Sequence, residues 1–155
     1  MIEIERKFLP RELPSEHLPD AGEHMRQGYL AIDGNVVVRI RITERTATLT
    51  VKGGDGMART EVESTVTSDD AEALWALTEG RRIDKIRYRV PLDDPLVAEI
   101  DVYAGDLEGL CTVEVEFDSE AAAADFEPPG WFGRDVTGER GWSNAALARD
   151  GRPDR

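Results

Sequence analysis

The sequence is poor in the residues on which much enzyme chemistry is built. Its 155 residues include one cysteine and two histidines. Cys111 has no partner for an internal disulfide, which excludes a stapled secreted scaffold and fits a reducing compartment. It has no evident catalytic partner either, so it reads as a packed thiol. His17 and His24 lack the spacing of paired metal ligands and read as surface residues. Aromatic residues make up only 6% of the chain, and Trp75, Trp131 and Trp142 are expected to pack rather than to stack on a ligand. No apolar run approaches the roughly 20 residues that cross a bilayer. Residues 1–7 are charged where a secretory signal would be apolar, so the cytoplasm is the expected location. Positive charge is also scarce: Lys and Arg number 19 against 32 Asp and Glu, a net charge of −13. That balance argues against nucleic acid or an anionic membrane as partner. A small anionic ligand stays open, because local placement can oppose the net sign.

What remains is 40% hydrophobic and 33% charged, the composition of a single globular domain over 1–155 with one core. Residues 151–155 read as a frayed tail. No repeat or long low-complexity tract interrupts the chain. Gly53-Gly54-Asp55-Gly56 lacks the lysine and spacing of a phosphate-binding P-loop and reads as a hairpin turn.

Period-two alternation dominates and predicts eight strands, at about 2–8, 24–32, 35–43, 46–52, 58–67, 84–90, 97–103 and 111–118. The turns at 33–35 and 53–56 are short, so neighbouring strands are antiparallel. Helices are fewer. Ser68 can cap one through about Thr78, Ser119 another to about Phe126, and Ser143 a third through about Arg149. The fold class is therefore α+β, mainly β.

The polar half of this alternation is sorted by sign. Glu3, Glu5 and Lys7 share a face, as do Arg39 and Arg41; Thr48, Thr50 and Lys52; Glu61 and Glu63; Lys85 and Arg87; Glu99 and Asp101; and Glu114 and Glu116. Any one such pair reads as a solvated sheet face. Like charges two residues apart repel, so their repetition along the chain needs a cause. Bound cations would favour the acidic pairs and a polyanion the basic ones. Eight carboxylates against six cations leave a net −2, which two divalent ions would turn to +2, suited to a phosphate chain. A sheet wrapped around this face would gather all these groups on one ligand. Its interior must be wet and crosslinked by ion pairs, since an unpaired buried ion costs several kcal/mol. Its apolar outer face must be covered by the helices or by a second subunit, which leaves a homodimer open.

Glu3-Ile4-Glu5-Arg6-Lys7 resembles the Glu-x-Glu-x-Lys signature that opens CYTH domains, the triphosphate tunnel metalloenzymes. The motifs Arg39-x-Arg41, Lys52, Glu61-x-Glu63, Lys85-x-Arg87, Glu99-x-Asp101 and Glu114-x-Glu116 follow in that family's order. The stretches 26–30, 79–82 and 128–133 also resemble the short bacterial members. The likeness covers about residues 1–149. It implies an eight-stranded antiparallel barrel open as a tunnel, with a charged interior and a few peripheral helices. It further implies a metal-dependent triphosphatase, most like the inorganic tripolyphosphatases, with Mg²⁺ or Mn²⁺ as cofactor and two ions expected. Carried over by motif, Lys7, Arg39, Arg41, Lys52, Lys85 and Arg87 would grip the triphosphate. Glu3, Glu5, Glu61, Glu63, Asp101, Glu114 and Glu116 would be metal ligands, directly or through water. Glu99 would orient a basic neighbour. Lys85 and Tyr29 would act in catalysis, Tyr29 by hydrogen bonding near a terminal phosphate. The alternatives are a thiamine or other organic triphosphatase, a class IV-type adenylyl cyclase, and a polyphosphate-binding module without turnover.

Overall fold

The computed structural model describes residues 1–154. Nine strands form one sheet: β1 (Ile2–Leu9), β2 (Glu23–Asp33), β3 (Val36–Ile42), β4 (Ala47–Gly53), β5 (Ala58–Thr65), β6 (Arg82–Pro91), β7 (Val97–Tyr103), β8 (Cys111–Phe117) and a short β9 (Arg134–Asp135). Their order is β5-β4-β3-β2-β6-β7-β8-β1-β9, every pairing is antiparallel, and β5 also pairs with β1. That last pairing closes β1–β8 into an eight-stranded barrel, as expected.

The ninth strand was not foreseen. β5 covers only the first half of one edge of β1, through Ile2↔Thr60, Glu3↔Arg59 and Ile4↔Ala58. β9 takes the rest of that edge through Phe8↔Asp135 and Leu9↔Arg134. Beyond it, the Val136 N–H donates to the Lys7 carbonyl at 2.9 Å, and the Thr137 hydroxyl accepts from the Lys7 N–H at 3.0 Å. The chain can pass this close because residue 133 is glycine: a Cβ there would lie 2.1 Å from the Leu9 carbonyl oxygen, and φ is +77°.

Three helices pack outside the barrel or at its end: α1 (Ser68–Trp75), α2 (Glu120–Asp125) and α3 (Asn144–Asp150). Ser119 and Ser143 cap α2 and α3 as predicted, accepting from the N–H groups of Ala122 and Ala146. The cap of α1 is Thr67 rather than Ser68, its hydroxyl accepting from Asp70 at 3.1 Å. A 3-10 turn over Ala76–Thr78 completes that segment. It presses on β2 at Gly28, where a Cβ would fall 2.4 Å from the Thr78 hydroxyl.

Apolar residues pack outside the barrel wall and polar ones inside it. Phe8, Ile100, Val113, Val115 and Phe117 point outward and are covered by Ala123 of α2 and by Phe132. Each such buried side chain contributes about 1.5–3 kcal/mol. Arg6 points outward among them and donates to the carbonyls of Ala123 and Phe126, satisfying groups left open at the end of α2. A second cover sets Ala71 of α1 on Ile40 and Ala47. A third cluster joins Val136, Trp142, Ala145 and Leu147 to Val37, Ile83 and Tyr103 and fills one end of the barrel. On β4 and β5, Val51 and Val62 remain exposed outside. Cys111 is buried, and burial with the nearby charge of Asp101 pushes its thiol up to about 12. His17 stacks on Trp131, and His24 bonds Asp84 at 2.7 Å. No helix among the described residues is long and apolar enough to cross a membrane.

Candidate functional site

The barrel encloses a cavity of about 560 Å³. The strand alternation that sends Ile and Val outward brings Glu3, Glu5 and Lys7 of β1, Arg39 and Arg41 of β3, and Lys52 of β4 onto its wall, with Glu61 and Glu63 of β5, Arg87 of β6, Glu99 of β7, and Glu114 and Glu116 of β8. Tyr29 of β2 also lines it. Registers such as Glu5↔Glu116 and Lys7↔Glu114 place like and unlike charges directly opposite one another.

The cations fall into two groups. Arg87 is committed to carboxylates: its Nε and Nη2 clamp Asp101 at 2.8 and 3.0 Å, and Nη1 meets Glu99 at 3.3 Å. Among the described residues, no carboxylate lies within ion-pair distance of Arg39 or Arg41. Arg39 is 5% exposed and donates to the Thr50 hydroxyl at 3.3 Å, and its buried Nε has no acceptor among the described residues. Arg41 donates to Gln27 at 3.0 Å. Burial and the repulsion of Arg39 and Arg87 lower Arg41 to about 10, still charged at neutral pH. Such a patch is a cation surplus awaiting an anion. Lys7 stands a loose 3.7 Å from Glu114.

The carboxylates form the opposite surplus. Burial and the charge of Glu114 raise Glu5 well above the ordinary carboxylate range, against the pull of Lys52. Burial together with Glu3 and Glu99 raises Glu116. Burial and the hydrogen bond to Glu3 raise Glu61 to about 7, whereas Glu3, despite burial, is held at about 2 by Glu61, Glu5 and Lys52. The Lys52 ammonium stands 3.1 Å from Glu3 and 3.4 Å from Glu61. Among the described residues, no three Asp, Glu, His or Cys side chains converge closely enough to hold a metal by themselves. The donor chemistry nevertheless fits Mg²⁺ or Mn²⁺: hard oxygens, several of them repelling one another in a way a divalent cation would relieve. Water or ligand oxygens would complete the coordination.

Lys85 and Asp101 lie apart from the cavity wall. Their side chains are 0% and 1% exposed and meet at 2.7 Å. Asp101 is held far below the usual carboxylate range: burial opposes its ionisation, but Arg87 and Lys85 prevail. Glu99, expected to orient a basic neighbour, bonds Arg87 and also approaches Arg89 at 3.5 Å.

Four cavity-lining cations were not anticipated: Arg59, Arg89, Arg140 and Arg149. Arg59 and Arg89 are in phase with Glu61 and Arg87, so extending the alternation by two residues would have found them. Arg140 and Arg149 follow the last barrel strand and carry no periodic signal. Arg140 bonds Asp55 at 3.1 Å and so ties the C-terminal segment to the β4–β5 turn.

Comparison with known proteins agrees with this geometry. The CYTH domain matches residues 1–128. An inorganic triphosphatase of Nitrosomonas europaea is 43% identical over 149 residues, spanning 96% of this chain and 97% of that protein. An inorganic triphosphatase of Acetivibrio thermocellus is 35% identical over 150 residues, spanning 96% and 94%. A crystal structure of an inorganic triphosphatase superposes with a TM-score of 0.69 at 41% identity, covering 96% of this chain and 95% of that one. A putative adenylate cyclase of Bacillus halodurans shares the fold at 19% identity and a TM-score of 0.59, covering 79% of this chain and 83% of that one. A family match across most of the chain, near full-length relatives and a closed barrel with its charges inside agree, and the chain belongs to the CYTH domain family.

Proposed function

We propose that this protein is a metal-dependent triphosphatase that hydrolyses inorganic tripolyphosphate to pyrophosphate and phosphate. The observation that carries this reading is the pair of buried Arg39 and half-buried Arg41, which among the described residues have no carboxylate partners yet face a carboxylate cluster across one cavity. A metal-bound phosphate chain supplies what each half lacks. The near full-length likeness to two proteins called inorganic triphosphatases favours the inorganic substrate over a nucleotide or thiamine ester.

Arg39 and Arg41 grip non-bridging phosphate oxygens, with Lys7 and Arg87 beside them and Lys52 at the acidic end. Glu3, Glu5, Glu61, Glu63, Glu114 and Glu116 provide oxygen ligands for one or two divalent ions. Bound Mg²⁺ or Mn²⁺ would neutralise phosphate charge and make a bound water a better nucleophile. A carboxylate of the cluster takes the proton of the attacking water, and Tyr29 donates to a phosphate oxygen. Asp101 fixes Arg87, and Lys85, which burial lowers to about 7 against the pull of Asp101, bonds Asp101 from behind.

A substrate panel tests this. Tripolyphosphate, ATP, thiamine triphosphate and pyrophosphate are incubated with Mg²⁺, with Mn²⁺ and with EDTA. Release of phosphate chiefly from tripolyphosphate, abolished by EDTA, is expected. Cyclic AMP from ATP would point to a cyclase, and tight tripolyphosphate binding without turnover to a binding module; either overturns the proposal.

A further inference from the structure

Gln27 is 0% exposed. It sits on β2 opposite Arg41, two residues before Tyr29, which stands opposite Arg39. Its amide touches both neighbours: Oε1 is 3.0 Å from the Arg41 Nε, and Nε2 is 3.3 Å from the Tyr29 hydroxyl.

The chemistry of the partners fixes how this bridge is wired. The Arg41 Nε–H can only donate, so the amide atom facing it must be the oxygen. A reversed amide would set two donors against each other. The NH₂ end therefore faces Tyr29 and donates, and the Tyr29 oxygen accepts. The phenolic proton must then point away from Gln27. Among the described residues no acceptor takes it, while Tyr29 lines the cavity. Directly across the strand pair, the buried Arg39 Nε also lacks an acceptor. Two donors without acceptors thus stand at facing register positions beside the space proposed for phosphate.

We infer that Gln27 is a positioning residue, whose amide anchors Arg41 and turns the Tyr29 proton toward the bound phosphate chain. The catalytic part of this inference rests on the triphosphatase reading. The local arrangement also explains why a long polar side chain is fully buried on β2, where an apolar residue would satisfy packing alone. Gly28 on the opposite face admits the turn at Thr78 close behind this position.

Gln27→Glu tests the wiring. The carboxylate still accepts from Arg41 but has no N–H for Tyr29, so the phenol donates to residue 27 and its proton leaves the cavity. The added charge also offsets Arg41. The variant is therefore expected to lower kcat for tripolyphosphate with Mg²⁺ by roughly tenfold or more, a coupling of ordinary size for touching residues. That kcat loss should vanish when the same change is made in a Tyr29→Phe background, whereas a rise in KM, attributable to Arg41, should persist there. An undiminished kcat, or an equal kcat loss with and without the Tyr29 hydroxyl, overturns the inference. The ¹³C resonance of the Tyr29 Cζ, assigned by its absence in Tyr29→Phe, supplies a readout that does not need turnover. It should move in Gln27→Glu, and an unmoved signal would contradict the contact. If the wild-type protein releases no phosphate, the triphosphatase reading falls while this resonance still decides the wiring. If Gln27→Glu does not fold, Gln27→Met, which removes both bonds, is judged by the same kcat cycle and the same signal.

Discussion

Lys52 and Glu3 form a largely buried ion pair, Nζ to Oε1 at 3.1 Å, reaching over β5 from opposite sides. Glu61 completes the contact at 3.4 Å. Lys52 thus does part of the work a divalent cation would do among the carboxylates. Replacing it with Met leaves Glu3, Glu5 and Glu61 facing one another. Breaking a buried pair costs about 3–5 kcal/mol, and partial solvent access here reduces that to about 1–3. Urea unfolding in EDTA should show that loss. Added Mg²⁺ should stabilise the variant more than the wild type, and equal stabilisation of both would oppose the placement.

The opposed shifts of Glu3 and Glu61 give a pH signature. Glu61 has its folded value raised to about 7 from 4.5, so the folded state binds more protons than the unfolded state between those limits. Its contribution to stability is therefore present below about 4.5 and is lost as pH rises through 7. Glu3 works the other way, losing its contribution as pH falls from 4.5 toward 2. Thermal melts in EDTA should show stability declining from pH 4.5 to 7, and Glu61→Gln should flatten that limb. A slope unchanged in the variant would assign the titration elsewhere.

Asp101 answers to two cations, Arg87 and Lys85. Asp101→Asn leaves both partly unpaired in a dry setting and should cost about 3–5 kcal/mol. Combining it with Lys85→Met removes one of the stranded charges, so the double variant should recover part of the loss. If Asp101 instead bound metal directly, Asp101→Asn would chiefly weaken Mg²⁺ affinity and leave the metal-free melt unchanged.

Burial and the like charge of Glu114 both disfavour the ionised Glu5 carboxylate. Glu5→Gln should therefore raise the melting temperature in EDTA, because it removes repulsion with Glu114, while lowering Mg²⁺-dependent turnover by about 10- to 100-fold. Full turnover in this variant would remove Glu5 from the metal set.

The sides of the strands were readable because alternation is a short-range property of the backbone. Sign-sorted pairs at Arg39 and Arg41, or at Glu114 and Glu116, mark the inward face whatever the rest of the fold does. Alternation fixes a face but not a depth along the barrel. Lys85 shares its face with Arg87, yet it stands opposite Tyr103, near the end that Trp142 and Leu147 fill. It is consequently buried with Asp101 rather than set on the cavity wall. β9 was unreadable for a different reason: its two residues have no periodicity, and their pairing depends on an edge of β1 that exists only once the barrel has closed. Leu30 marks a third limit. A register shift between Tyr29 and Ala31 lets Tyr29 and then Ile32 both reach the cavity, a reversal of phase that simple alternation hides.

The most direct test of the account is ³¹P NMR of the wild-type protein with tripolyphosphate. With Mg²⁺ or Mn²⁺ present, the tripolyphosphate signals should give way to pyrophosphate and phosphate in equal amounts, and EDTA should stop the conversion. Persistence of tripolyphosphate with the metals present, or hydrolysis at the same rate in EDTA, would contradict it.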